Sequence, residues 1–192
     1  MIAGHFGFAA LVKSRQQSTP LWILMLASVW LDMVFVPLFL VGVETIQPVQ
    51  DHSGYGAALI HADYTHSLVG MLGLSALLAA FCLPFWGLRS AVVIGLVADS
   101  HWVLDLIVHR ADMAILPGNF GNFPRLGFGL WRFPMATATL EAMLVLLGAW
   151  LYWRAARSIS IQAKHGPQWA TAVSVLIATC GLLILVLDVS SR

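Results

Sequence analysis

Two imidazoles and a carboxylate recur at i, i+4 and i+8 in the stretch Asp99-Ser-His-Trp-Val-Leu-Asp-Leu-Ile-Val-His109, as His101, Asp105 and His109. At ~100° per helical residue these three form one stripe that drifts by only about 80° over two turns. The i, i+4 pair His101 and Asp105 can hold one ion from a single helical face. Asp63 and His66, an i, i+3 pair, share a face in the same way. Imidazole and carboxylate together are the donor set that Zn²⁺ and related divalent ions take, and catalytic sites keep one position open for water. The stripe lies in an apolar run that begins near Ala91. Ionisable groups inside a bilayer are costly unless they meet a partner, an ion or water, so the stripe should face inward.

The composition makes this setting a membrane. The 192 residues are 59% hydrophobic and 10% charged, with a mean hydropathy of +0.84, whereas a soluble domain carries about 25% charged residues. The net charge is +1, and no basic cluster suggests a nucleic-acid partner. Cys82 and Cys180 both lie in apolar runs and read as buried thiols. Lys13 and Arg15 follow the first apolar stretch rather than precede it, unlike a cleavable signal.

The elements that must position the polar groups can be read in chain order. Residues 1–12 are apolar but shorter than the ~20 needed to cross, and read as a half-helix carrying His5. Spans are expected over about 21–43, interrupted by Asp32, and over 61–86, which opens on His61-Ala-Asp63-Tyr-Thr65-His66-Ser67. Further spans are expected over 89–109, over 134–153 with Glu141, and over 168–188. The stretch 44–60 reads as a loop, and 110–133, containing LPGNFGNFPRLGFGLWRFP, as irregular backbone. The chain therefore reads as a single all-α integral-membrane domain over 1–192, a polytopic bundle of about five spans plus the half-helix. Placing the 13–20 linker inside puts six basic residues inside and four outside, the expected bias.

Depths at ~1.5 Å per residue bring the polar groups into one layer. Counted from the outer ends, Asp105 lies roughly 6 Å deep, His66 roughly 9 Å, Glu141 roughly 10 Å, His101 roughly 12 Å and Asp32 roughly 16 Å. His5, rising about 12 Å from the inner face, approaches the same layer of a ~30 Å hydrocarbon core. A shared site in the outer half is the economical explanation. A bound divalent ion would offset the carboxylates and lower the pKa of a water toward ~7. Chains of Asp, Glu and His also relay protons, so a transporter or channel for metal ions or protons remains an alternative, as does a scaffold merely braced by metal.

The order of these motifs resembles a known family. Gly4-His5, Asp32 late in an apolar run, His61-x-x-x-Thr65-His66-Ser67-Leu68, and His101-x-x-x-Asp105 followed by Pro117 resemble the bacterial inner-membrane metal-dependent hydrolases, a family that also carries a LexA-binding label. The resemblance covers roughly residues 4–134, including Trp131-Arg132-Phe133. It implies metal ligands at His5, Asp32, His66, His101 and Asp105, with His61 and His109 as further candidates. Two departures point to a rearranged or second metal site. Leu31-Asp32-Met33-Val34 stands where the family has Pro-Asp-x-Asp, and His61-Ala62-Asp63 where it has His-Arg-Gly.

The expectation is a membrane-embedded hydrolase, zinc-dependent, that cleaves an ester or phosphoester of a lipid-like anionic substrate. Asp63 or Glu141 would serve as general base, Arg125 or Arg132 would steady the anion, and the 110–133 loop would act as lid. The site would face the extracytoplasmic side of the bacterial inner membrane. The purified protein is expected to hold one divalent metal ion per chain by elemental analysis. His101→Ala and Asp105→Ala should each strip it while His52→Ala retains it; equal retention in all three would make the stripe structural.

Overall fold

The computed structural model describes residues 1–49, 56–162 and 167–190; His52 lies outside them. The chain is a multi-pass membrane protein with an all-α domain. Three helices are long and apolar enough to cross a bilayer, and a fourth crossing forms if one bent pair counts as a single span.

The helices follow the apolar runs. In chain order they are α1 (Ile2–Arg15), α2 (Leu21–Ser28), α3 (Trp30–Leu40), α4 (Leu68–Val108), α5 (Pro134–Gln162) and α6 (Gln168–Ser190). The run of α4 breaks at Gly87, whose φ of 73° and ψ of 169° fall in a region that is almost exclusively glycine's. The chain doubles back there, between the stretches read as 61–86 and 89–109. Its arms 68–86 and 88–108 lie side by side: a Cβ on Gly95 would stand 3.2 Å from that of Ala79, and Trp102 Nε1–H donates to the His66 carbonyl at 2.8 Å. Both ends of α4 therefore meet at one end of the bundle.

The bent pair α2 and α3 meets at 47° around Val29, which carries the non-helical cap angles. Trp22 meets Trp86 edge-on at 5.7 Å at the far end, while Glu44, just beyond α3, reaches Thr65 at the near end. The pair thus runs the length of the first arm of α4. Below the near end, Ala9, Leu24, Ala27, Cys82, Ile94 and Ala98 pack as a fully buried apolar cluster.

α1 is seated mainly on α5, with α2, α4 and α6 around it. Small residues allow the two backbones to touch: a Cβ on Gly7 would lie 2.6 Å from the Val145 nitrogen, and one on Gly148 would run into the Gly7 carbonyl. Such small-residue contacts replace the hydrophobic drive that is lacking between helices in lipid. Glu141 accepts the Gly4 N–H at 3.0 Å, satisfying one of the orphan amides at the α1 N-terminus.

The stretch read as a plain loop over 44–60 instead contains β1 (Thr45–Pro48), which pairs antiparallel with β2 (Ala58–His61), Thr45 opposite His61 and Ile46 opposite Ile60. His61 consequently belongs to a strand, and the following helix starts at Leu68 rather than 61, with Ser67 Oγ accepting the Gly70 N–H at 3.1 Å. Four-residue strands are too short to leave a periodic signal in the sequence. Segment 110–133 wraps the ends of α4: Leu68 N–H donates to Ala114 O at 3.0 Å and Gly129 N–H to His109 O at 2.7 Å.

Gly87→Ala meets no atom within 4 Å, so its cost is backbone strain alone, about 1–3 kcal/mol. Thermal unfolding in detergent should show a lowered midpoint with metal content unchanged. Gly7→Val, by contrast, should displace α1 and with it His5, which contacts Asp105, lowering both.

Candidate metal centre

A buried cluster of imidazoles and carboxylates, capable of coordinating a metal ion, lies where the two ends of α4 meet α1 and α3. His101 and Asp105 come from the second arm of α4, His5 from α1, Asp32 from α3, and His66 from the turn that Ser67 closes. His5, His66, His101 and Asp105 are buried, and Asp32 is about one-third exposed.

The hydrogen bonds around the rings fix where their protons sit. His101 Nδ1 lies 2.8 Å from the Ser28 carbonyl, an acceptor only, so Nδ1 carries a proton, and in the neutral ring Nε2 is the lone pair. Thr65 Oγ1 lies 2.9 and 3.1 Å from the two Glu44 carboxylate oxygens and 2.9 Å from His66 Nδ1. The hydroxyl donates to Glu44 and accepts from His66 Nδ1–H, leaving His66 Nε2 bare. His109 Nδ1 donates to Asp112 Oδ1 at 3.0 Å, so its Nε2 is bare as well. A partner that orients the far ring nitrogen is the usual support of a metal-ligating histidine.

With the rings neutral, these nitrogens converge as lone pairs on one another and on carboxylate oxygens. His66 Nε2 and His101 Nε2 are 3.2 Å apart. Asp32 Oδ1 lies 3.5 and 3.6 Å from them, and Asp105 Oδ2 lies 3.8 and 3.1 Å from them. Four ligands around a tetrahedral ion, each at ~2.0–2.1 Å, stand roughly 3.3 Å from one another. Five edges of that figure are thus present within about 0.5 Å of the expected length. The residues fit a divalent ion. His5 Nε2 contacts the other oxygen of Asp105 at 3.1 Å, and its Nδ1 is buried without a hydrogen-bond partner. Its ring stacks on His101 at 3.9 Å. The triads His5–His101–Asp105 and Asp32–His66–His101 share a single available nitrogen, His101 Nε2, so they surround one ion position rather than two.

Beside the cluster lies a cavity of about 460 Å³, bordered by Asp32, His66, Asp105 and His109 and otherwise largely by apolar side chains. The β ribbon supplies much of its wall through Ile46, Ala58 and Ile60; from segment 110–133 only Trp131 reaches it, its ring tilted against that of His109 at 4.3 Å.

Several residues singled out in the sequence lie away from this cavity. His61 pairs in the ribbon, and Ile60 rather than His61 lines the wall. Asp63 and Arg125 bind one another through two hydrogen bonds, one of 2.8 Å, and Arg125 also donates to the Asp112 carbonyl. Asp63's carboxylate raises the Arg125 guanidinium above its ordinary pKa. Arg132 is exposed to solvent or lipid, and Glu141 caps α1. The groups that the sequence reading passed over are those that orient the rings: Ser28, Glu44, Thr65 and Asp112. Thr65, next to His66, and Asp112, three residues beyond His109, are the local signals among them.

Comparison with family models, with characterised proteins and with solved structures returns no match, so the reading of the site rests on its own geometry.

Thr65→Val keeps the side-chain shape and removes the acceptor that holds His66 Nδ1–H. The affinity for Zn²⁺, measured by competition with a chromophoric chelator, is expected to fall about 10–100-fold, with Thr65→Ser restoring it. An unchanged affinity would show that His66 is not held as a ligand.

Proposed function

We propose that the protein is a metal-dependent hydrolase of the membrane, similar in its motifs to the bacterial inner-membrane hydrolases, and that zinc is its ion. The observation that carries this reading is the convergence of bare imidazole nitrogens and carboxylates, at tetrahedral spacing, on the wall of a substrate-sized cavity. His66, His101, Asp32 and Asp105 hold the ion, with His5 bound to Asp105 from the far side. When bound, the ion supplies Lewis-acid activation of water and of an acyl or phosphoryl oxygen. His109 takes up the proton: it faces the cavity with a bare Nε2, and Asp112 fixes its tautomer as an orienting carboxylate does in hydrolytic triads. Asp105 Oδ2, 3.6 Å from that nitrogen, stabilises the imidazolium that results.

In this reading the bent pair counts as one crossing and the two arms of α4 as two, which with α5 and α6 makes five around the half-helix α1. Among the described residues, Lys13, Arg15, Arg89, Arg154 and Arg157 gather toward the far end, against Arg110, Arg125 and Arg132 at the site end. The positive-inside rule then turns the site outward. An apolar cluster from Ala9 to Ala98 packs below the site, which favours hydrolysis over transport.

The test uses purified, zinc-loaded protein with p-nitrophenyl acyl esters and bis-p-nitrophenyl phosphate. Turnover of one class is expected, abolished by chelation. His101→Ala should lose metal and turnover together, whereas His109→Gln should keep the metal and lose at least 100-fold in rate. Full zinc occupancy without turnover of either class would overturn the reading. Impermeant thiol labelling of Asn119→Cys but not Ser160→Cys in spheroplasts, on a background lacking Cys82 and Cys180, is expected; the reverse pattern would turn the site to the cytoplasm.

A further inference from the structure

We propose that the cavity opens sideways into the bilayer, between α3 and the α1–α6 pair, and receives the acyl chain of a neutral-headed lipid. The proposal deepens the hydrolase reading by naming its substrate class, and relies on that reading only for which bond is cut.

The rim of the cavity is apolar. Val36 on α3, Ile46 on β1 and Ile2 on α1 each line it and are still 51%, 44% and 41% exposed. A mouth open to water would be expected to carry polar residues at such positions, whereas an apolar rim at the surface of a membrane protein suits contact with lipid tails. α3 packs against α4 and α2 and has no extensive contact with α1, α5 or α6. The gap on its free side is the cavity itself, since Phe35 and Val36 form one wall and Ile2 and Asp188 another. A chain lying in this gap would rest on Ile2, Phe35 and Val36, with its first carbonyl toward Asp32 and His66.

Charge decides the head group. No Lys or Arg lines the cavity among the described residues, while Asp32, Asp105 and Asp188 do. Asp32 and Asp105 alone balance one divalent ion, which leaves no excess of positive charge to attract an anion. Arg125 is engaged by Asp63 and the Asp112 carbonyl, and Arg110, just behind the lining, by the Gly56 carbonyl at 3.4 Å. A neutral ester therefore suits the wall better than a lipid phosphate, in contrast to the anionic substrate expected from sequence.

The experiment uses the full-length protein in nanodiscs with a photoreactive probe, a 12-carbon 1-O-alkylglycerol bearing a diazirine near the chain end, and the same tail on a phosphate. The ether cannot be hydrolysed, so labelling reports binding alone. Peptide mapping should place the neutral probe on the 30–40 and 58–61 segments. Unlabelled 12-carbon alkylglycerol should compete and the 4-carbon homologue should not. Val36→Trp and, from the opposite rim, Ile46→Trp should each reduce labelling at least tenfold with zinc content unchanged. Labelling spread over the lipid-facing side of α4, or undiminished in both variants, would overturn the acyl site; preference for the phosphate probe would overturn the neutral head. Labelling at α3 without turnover of any ester would keep the acyl site and remove the hydrolase, and ester turnover without labelling would do the reverse.

Discussion

Lone pairs that converge without protons between them repel, and in a low-dielectric interior that repulsion is only weakly screened. In this protein His66 Nε2, His101 Nε2, Asp32 Oδ1 and Asp105 Oδ2 are held together in just that way. In the neutral rings the lone pairs point inward, because Ser28, Thr65 with Glu44, and Asp112 hold the outer N–H groups. A divalent cation would turn this arrangement from a liability into a bonded centre. The surrounding structure can be understood as the means of keeping four acceptors aimed at one another.

That task is distributed over the chain. The reversal at Gly87 returns α4 to its starting level, so that His66 at one end meets His101 and Asp105 near the other. The bend between α2 and α3 presents the Ser28 carbonyl to His101 while carrying Asp32 past it. The ribbon after α3 brings Glu44 beneath the 62–67 turn, where it collects the Tyr64 and Thr65 amides as well as the Thr65 hydroxyl. One buried carboxylate thereby fixes both a backbone turn and a ring tautomer.

The parts of this that were legible in the sequence are local or arithmetical. His101 and Asp105 declare themselves by helical spacing, and the apolar runs that carry His5 and Asp32 mark their helices. The depth of His66, by contrast, is counted along a helix that begins only at Leu68. Long apolar runs mark the helices, and Trp86-Gly87-Leu88-Arg89 marks the break in α4. What stayed hidden depends on partners distant in the chain. Asp63 and Glu141 look like free carboxylates until Arg125 and the Gly4 amide are placed beside them, 62 and 137 residues away. A carbonyl such as that of Ser28 has no side-chain signature at all, and Glu44 sits in a stretch too short and irregular to announce a strand. The ribbon escaped notice for the same reason, and with it the main wall of the cavity.

The seating of α1 on α5 bears on how the molecule is made. Gly4 and Gly7 find their places only against Glu141, Leu144, Val145 and Gly148, more than 130 residues later in the chain. The ribosome emits His5 first, yet its position beside Asp105 exists only after α5 has left the insertion machinery. Until then the early helices carry Asp32, His66, His101 and Asp105 into the bilayer with one face of the centre open. Biogenesis therefore has a long interval in which the acidic groups are already inserted and the last shield is missing, and completion of the centre is coupled to arrival of the fifth helix rather than to synthesis of the ligands themselves.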